Sequence, residues 1–145
     1  YGRLYDWSTA MGLDASCNSI SCSGQVNAKH KGICPSGWHI PNDDDWNILM
    51  GAIGGSSTAG RYLKATSGWN SGGNGEDTFG FSALPGGSGD SYGRFSDVGY
   101  YGGWWSASEG YSNYAYYRGM YYSYERVHHG SYDKSDLRSV RCLQD

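Results

Sequence analysis

Apolar side chains recur at Trp46, Leu49, Met50 and Ile53, the i, i+3, i+4, i+7 spacing of one helical face. The pattern predicts a helix over Asp43 to Ile53. Pro41 and Asn42 start it, with Asn42 as the expected N-cap, and Gly54-Gly55 end it. Asp43, Asp44 and Asp45 fall in the first turn, where the helix dipole favours negative charge. Farther along, a period of two takes over. Tyr117, Gly119 and Tyr121 share one side of an extended segment, and Tyr116, Arg118, Met120 and Tyr122 share the other. Ala115 to Tyr124 is therefore a predicted strand, with Glu125 to Val127 extending the pairing. Trp104 to Ser108 and Phe79 to Leu84 are shorter strand candidates, and Pro85-Gly86-Gly87 breaks the second. Ser139 to Leu143 is expected to close the sheet. At the start of the chain, Tyr1 to Met11 reads as a strand entering a short helix, with Asp6 as N-cap for Trp7 to Met11. Residues 14–36 read as irregular. Residues 54–80 read as loop, with a brief ordered piece at Arg61 to Lys64. Helices come first and strands dominate later, which predicts an α+β fold without solenoid repeats.

Composition sharpens this picture. The chain has 145 residues, which fits one domain with one core. It holds 24 glycines and 14 tyrosines, so it is expected to be loop-rich, with aromatic rings supplying much of the buried area. Net charge is -3 and the 11 basic residues are dispersed, which argues against nucleic acid and anionic membranes as partners. No stretch approaches the length of a membrane span. The chain opens on Tyr1-Gly2-Arg3-Leu4-Tyr5 with no starting Met and no signal peptide, as expected of a domain cut from a longer secreted protein.

Four cysteines, Cys17, Cys22, Cys34 and Cys142, suggest an oxidising compartment and two bridges. Three pairings are possible. The expected one is Cys17–Cys22, closing a tight loop, with Cys34–Cys142 tying the chain end to its first third. The rival, a zinc site, lacks any Cys-x-x-Cys, and His30 and His39 flank Cys34 without finger spacing.

An ordered set of motifs resembles a known family. It runs from Tyr1-Gly2-Arg3-Leu4-Tyr5-Asp6-Trp7 through Gly32-Ile33-Cys34-Pro35-Ser36-Gly37-Trp38-His39-Ile40-Pro41. It continues with Trp46, Tyr62-Leu63-Lys64, Gly68-Trp69, Gly80-Phe81-Ser82-Ala83-Leu84-Pro85-Gly86-Gly87 and Trp104-Trp105-Ser106, and ends at Ser139-Val140-Arg141-Cys142. Together these are similar to the Fibrobacter succinogenes major paralogous domain, a bacterial cell-surface module. The resemblance implies a single C-type-lectin-like domain over residues 1–145, with two short helices packed on small antiparallel sheets and long loops. It also implies pairing of the cysteines in Gly-Ile-Cys-Pro and Ser-Val-Arg-Cys. It implies a role class and no particular ligand.

Some members of that family resemble the variable proteins of diversity-generating retroelements, in which Asn codons near the C-terminal end of the domain are rewritten. The products include Tyr, Ser, Asp, His, Gly and Arg. Between Gly87 and Ser139 this chain retains only Asn113 and is rich in those products. The expected framework in that region is Trp104, Trp105, Ser106, Ala115, Arg118, Val127 and Lys134. In gut Bacteroidetes such domains are associated with pilus-tip adhesins.

Eleven of the 14 tyrosines lie after residue 90: Tyr92, Tyr100, Tyr101, Tyr111, Tyr114, Tyr116, Tyr117, Tyr121, Tyr122, Tyr124 and Tyr132. Tyr has good strand propensity, so some serve as strand and core filler. A soluble domain is not expected to bury both faces of the Ala115–Tyr124 strand. Rigid, amphipathic Tyr with Ser and Gly is also the composition of antibody contact loops. The expected contact set is the Tyr117/Tyr121 face, joined by Tyr100, Tyr101, Tyr111 and Tyr124. His128, His129 and Tyr132 would lie near its rim, and Tyr92 and Tyr114 belong to the wider set. Trp104 and Trp105 are read as core rather than as sugar-stacking rings.

Other chemistry is weaker. Asp43 to Asp45 is explained by the helix start. The Glu-Pro-Asn or Gln-Pro-Asp loop and Trp-Asn-Asp of calcium-dependent lectins are absent. Asn74, Glu76 and Asp77 offer calcium-type oxygens without a recognisable spacing. His128 and His129, adjacent on a strand, point to opposite faces and chelate poorly. The formylglycine-generating relatives of the fold need a late cysteine pair, and here only Cys142 is late. No nucleophile elbow, phosphate loop or His-Glu-x-x-His is present. Glu76, Asp77, Glu109 and Glu125 are glycosidase candidates with no motif behind them.

The expectation is a non-enzymatic extracellular ligand-binding or adhesion domain for protein or glycan. It needs no cofactor or metal and is monomeric as an isolated domain. The competing readings are a structural coat or pilus module and, behind it, a carbohydrate-active enzyme.

Overall fold

The computed structural model describes all residues, Tyr1–Asp145. The fold is α+β, with three helices and three small antiparallel sheets. Helix α1 (Trp7–Met11) is capped by Asp6, whose carboxylate accepts from the Thr9 N–H and from the Ser8, Thr9 and Asn18 side chains. Helix α2 (Asp43–Ala52) opens on a full capping box between Asn42 and Asp45. Trp46 and Met50 of its apolar face are buried, and Leu49 and Ile53 pack at its edge.

A third helix, α3 (Ser56–Leu63), lies where a loop was expected. Ser-Ser-Thr-Ala-Gly has little intrinsic helix preference, so tertiary packing of Ala59, Gly60 and Leu63 carries this helix. Gly60 is the point of closest approach: its N–H donates to the Glu125 carbonyl at 2.6 Å. A Cβ there would lie 2.7 Å from that oxygen. Gly60→Ala gains about 1 kcal/mol of helix propensity. It loses about 1–3 kcal/mol to overpacking against backbone that cannot move aside. The substitution is therefore expected to lower the melting temperature. A rise would show that the contact is loose.

Strands β1 (Trp38–His39), β2 (Ser88–Gly89), β3 (Phe95–Ser96) and β7 (Leu143–Gln144) are two residues each, pairing as β1–β7 and β2–β3. The main sheet has the order β4 (Tyr101–Tyr111), β5 (Tyr114–Tyr121), β6 (Val127–Asp133). Three strand expectations are corrected. Phe79 to Leu84 is not a strand, and only Ala83 forms a bridge, with Lys64. The last segment is split: Ser139 alone bridges the main sheet, in parallel at Trp104, and Leu143 pairs with β1. The third strand of the main sheet is Val127–Asp133, well beyond the expected end at Val127.

The main sheet separates two cores. Trp104 and Trp105 are neighbours on β4, so their side chains point to opposite faces. Trp105 joins Trp7, Met11, Ile40, Tyr101 and Tyr117 in one core. Trp104 joins Trp46, Met50, Leu63, Met120 and Val127 in the other. Both indoles are buried, as a core role requires. The Trp7 and Trp105 indole N–H groups reach the Ser106 and Tyr5 carbonyls at 3.0 and 2.8 Å, so neither is buried unpaired. The bridges Cys17–Cys22 and Cys34–Cys142 are both formed and no cysteine is free.

Candidate binding surface on the main sheet

Register decides which aromatic rings meet. Tyr101 lies opposite Tyr121, Gly103 opposite Gly119, and Trp105 opposite Tyr117. On the other side of β5, Gly119 lies opposite His128, Tyr117 opposite Gly130, and Ala115 opposite Tyr132. Directly opposed residues share a face. Tyr101, Tyr117, Tyr121, His128 and Tyr132 therefore stand on one side of the sheet, with glycines between them. A Cβ at Gly103 would lie 2.4 Å from the Tyr101 hydroxyl, and one at Gly130 would lie 3.2 Å from the Tyr117 ring. The glycines make room for the rings.

Arg138 organises the layer beneath. Its guanidinium carbon is 4.1 Å from the Tyr117 ring centroid, 4.7 Å from Tyr132 and 5.2 Å from Trp105. It donates to the Tyr101 hydroxyl at 2.7 Å. Burial pushes the Tyr101 hydroxyl up, more than the nearby Arg138 charge pulls it down. The same balance raises Tyr117. Both phenols stay neutral at physiological pH.

This layer corrects one expectation. Tyr101 and Tyr117 are 5% and 7% exposed, so they support the surface rather than form it. The Arg138 guanidinium lies over both. The middle of β5 is consequently buried on both faces, because Arg118 and Met120 on the far side are also enclosed.

Tyr121, Tyr124 and Tyr132 are the exposed rings, at 42%, 64% and 47%. Tyr121 stacks at 4.8 Å on Tyr101 and meets Tyr124 nearly edge-on at 6.3 Å. Tyr132 meets Tyr117 edge-on at 6.3 Å, and His128 lies 5.8 Å from Tyr117. Each exposed residue thus rests on a fixed neighbour. The turn that carries Tyr124 is also fixed. Buried Lys64 donates to the Tyr124 carbonyl at 2.7 Å, and Gly60 holds Glu125. Burial lowers the Lys64 ammonium, which lies 4.9 Å over the Trp69 ring. Lys64→Met is expected to free the turn, raising amide exchange over residues 122–126 by about tenfold while α2 exchange stays unchanged. Unchanged exchange in the turn would remove Lys64 from this role.

Beside Tyr121 and Tyr124 opens a recess of about 470 Å³, lined also by Arg126 and His128. A second, of about 460 Å³, lies between Tyr1, Leu84 and Arg141 and shares no lining residue with the first.

The remaining expected contact residues are elsewhere. Tyr111 and Tyr114 flank the β4–β5 turn, about 24 Å along the strand from Tyr121. Tyr92 is on the β2–β3 turn near Arg94. Tyr100 packs edge-on against Tyr122 at 5.2 Å. His129 is on the opposite face, 2.9 Å from Asp43, which also takes Arg118 at 2.9 Å. Arg126 and Arg138 carry no distinguishing signal in the sequence, and Lys64 stands out there only within the Tyr62-Leu63-Lys64 motif.

Three of the four candidate carboxylates are engaged separately, and Glu125 is exposed without an ion-pair partner. Glu76 pairs with Arg61, Asp77 caps Ser82, and Glu109 pairs with Lys134. Asn74 accepts from the Trp69 N–H. No three His, Cys, Asp or Glu side chains converge as a metal set.

These features define a disulfide-bonded α+β domain with an ordered, partly open aromatic face, and its two bridges fit a secreted or extracellular setting. The chain belongs to the Fibrobacter succinogenes major domain family, whose family model matches residues 1–144. No curated protein and no solved structure gives a significant match. No helix is long and apolar enough to cross a membrane.

Proposed function

We propose that the chain is an extracellular binding module of the bacterial cell surface, of C-type-lectin-like fold, that captures its ligand on Tyr121, Tyr124 and Tyr132. The observation that carries this reading is the two-layer arrangement: exposed Tyr121 and Tyr132 seated on buried Tyr101, Tyr117 and Arg138, with Tyr124 set edge-on against Tyr121. Rigid amphipathic rings present a large contact area at low entropy cost. The proposed role is adhesion through protein or glycan, without catalysis.

The reading extends to variability. All seven expected framework residues, Trp104, Trp105, Ser106, Ala115, Arg118, Val127 and Lys134, are buried. Tyr92, Tyr111, Tyr121, Tyr124, Tyr132, His128 and His129 are exposed. A surface rewritten codon by codon over a fixed interior would have this division. Sibling sequences from one bacterial population should differ mainly at exposed positions within 88–133, and uniform divergence along the chain would overturn the variable-protein reading.

The direct test is the Tyr121→Ala/Tyr124→Ala double variant. Tyr117 is unsuitable, because removing a buried ring would disturb the fold. Truncated aromatic anchors cost about 2 kcal/mol or more each, so capture on a glycan and surface-protein array should fall at least about thirtyfold, with the melting temperature nearly unchanged. Wild-type capture by the variant sinks the site. An array with no binder for the intact chain favours a purely structural coat or pilus module.

A further inference from the structure

We propose that the recess between Tyr121, Tyr124, Arg126 and His128 is a subsite for a negatively charged sugar residue. The inference rests on the binding reading above and narrows its ligand.

Charge is the first argument. The chain carries 14 acidic against 11 basic residues, yet the recess is lined by Arg126 and His128 and by no carboxylate. Neither residue has an acidic partner within ion-pair distance, whereas Asp43 occupies His129 on the opposite face. Arg126 is exposed and makes no side-chain hydrogen bond within the chain. Burial lowers the His128 imidazole, and the charges that add to this are Arg126, His129 and Arg118, all of one sign. The fixed positive charge lining the recess is Arg126, on a molecule that is negative overall.

Shape and chemistry give the class. The volume, about 470 Å³, falls in the range that small ligands use, about 300–1,000 Å³. The rings of Tyr121 and Tyr124 stand at 82° to each other, giving two walls that are apolar on the face and polar at the hydroxyl. A pyranose ring has the same character, with C–H faces and a hydroxyl rim. A carboxylate or sulfate on that ring would receive charge-assisted hydrogen bonds from Arg126, and bidentate geometry suits guanidinium better than ammonium. An acidic peptide side chain is the competing occupant, but it would leave the second aromatic wall uncovered.

The test measures binding of four probes to the intact chain by calorimetry: trigalacturonate, its fully methyl-esterified form, a κ-carrageenan tetrasaccharide that bears sulfate and no carboxylate, and the same tetrasaccharide desulfated, with hexaglutamate as the peptide control. We expect at least one charged sugar to bind, with a tenfold or larger loss for its neutral counterpart and for Arg126→Ala. Arg126→Lys should recover only part of the affinity. The two sugar pairs separate carboxylate from sulfate recognition. Equal binding of the charged and neutral member of a pair overturns the charge inference, as does binding of hexaglutamate alone or of no probe. In each of those cases the platform reading stands or falls separately, on whether array capture still depends on Tyr121 and Tyr124.

Discussion

Replacing Cys34 and Cys142 together with alanine is expected to lower stability by about 5 kcal/mol, while the same change at Cys17 and Cys22 costs only about 2 kcal/mol. The difference comes from loop length. Cys34–Cys142 spans 108 residues and Cys17–Cys22 spans 5. A cross-link stabilises by restricting the unfolded chain, and the restriction grows with the logarithm of the loop. A domain of this size has about 5–15 kcal/mol in total, so the long bridge is a large fraction of the whole. It also holds β7 against β1, a pairing of only two residues. Thermal unfolding of the two double variants checks this. A drop of about 15 °C or more is expected for the long bridge. Equal drops for both would show that native strain or residual unfolded structure outweighs loop entropy.

Lys134→Met is expected to cost about 3–5 kcal/mol, because it leaves the Glu109 carboxylate buried without its partner. Lys134 is fully buried, and its ammonium lies 4.5 Å over the Trp7 ring. It donates to Glu109 at 2.7 Å and to the carbonyls of Cys17, Ser112 and Ile20 at 3.0, 2.8 and 3.3 Å. Glu109 also accepts from the Cys22 N–H and the Ser21 hydroxyl. This single pair thus fastens the small disulfide loop to the end of the β4–β5 hairpin. Combining Lys134→Met with Glu109→Gln should be milder than Lys134→Met alone, since no naked charge remains.

The pair also sets a pH response. Burial raises the Glu109 carboxyl, but hydrogen bonds from Lys134, Cys22 and Ser21, with the Lys134 charge, outweigh it and hold the group below its ordinary range. A lowered carboxyl pKa contributes stability that is complete above the unfolded value, about 4.3. It is lost as pH falls through the lower folded value. Urea midpoints of the wild type and Glu109→Gln should therefore converge as pH drops from 7 to 3. A gap that stays constant would show that the proton equilibrium of Glu109 is unchanged by folding.

Much of this architecture is legible in the sequence, and the illegible parts share a cause. Helix α2 is readable because its cap, its acidic first turn and its apolar period agree. The short loop between Cys17 and Cys22 makes their pairing readable. Helix α3 is not, because Ser-Ser-Thr-Ala-Gly is held by contacts with residues 122–126, far away in the chain. Strand β6 hides in Val-His-His-Gly-Ser-Tyr-Asp, which carries little apolar alternation. Alternation along β5 identifies which tyrosines share a face, but not that Arg138 lies over Tyr101 and Tyr117. The expected contact set therefore joined Tyr101 and Tyr117 to Tyr121 and Tyr124, whereas burial divides them into a lower and an upper layer. Arg126 lies within the turn and follows no period, so only the folded geometry brings it beside Tyr124.

The adjacency of Trp104 and Trp105 constrains how such a chain can change over generations. One dipeptide anchors an indole in each core. Inserting or deleting a single residue between Tyr101 and Trp104 would turn both indoles toward the wrong side at once. Length is therefore frozen through the middle of the sheet, while single exposed codons remain free to change. Any lineage that diversifies this domain there must do so by exchanging one letter for another.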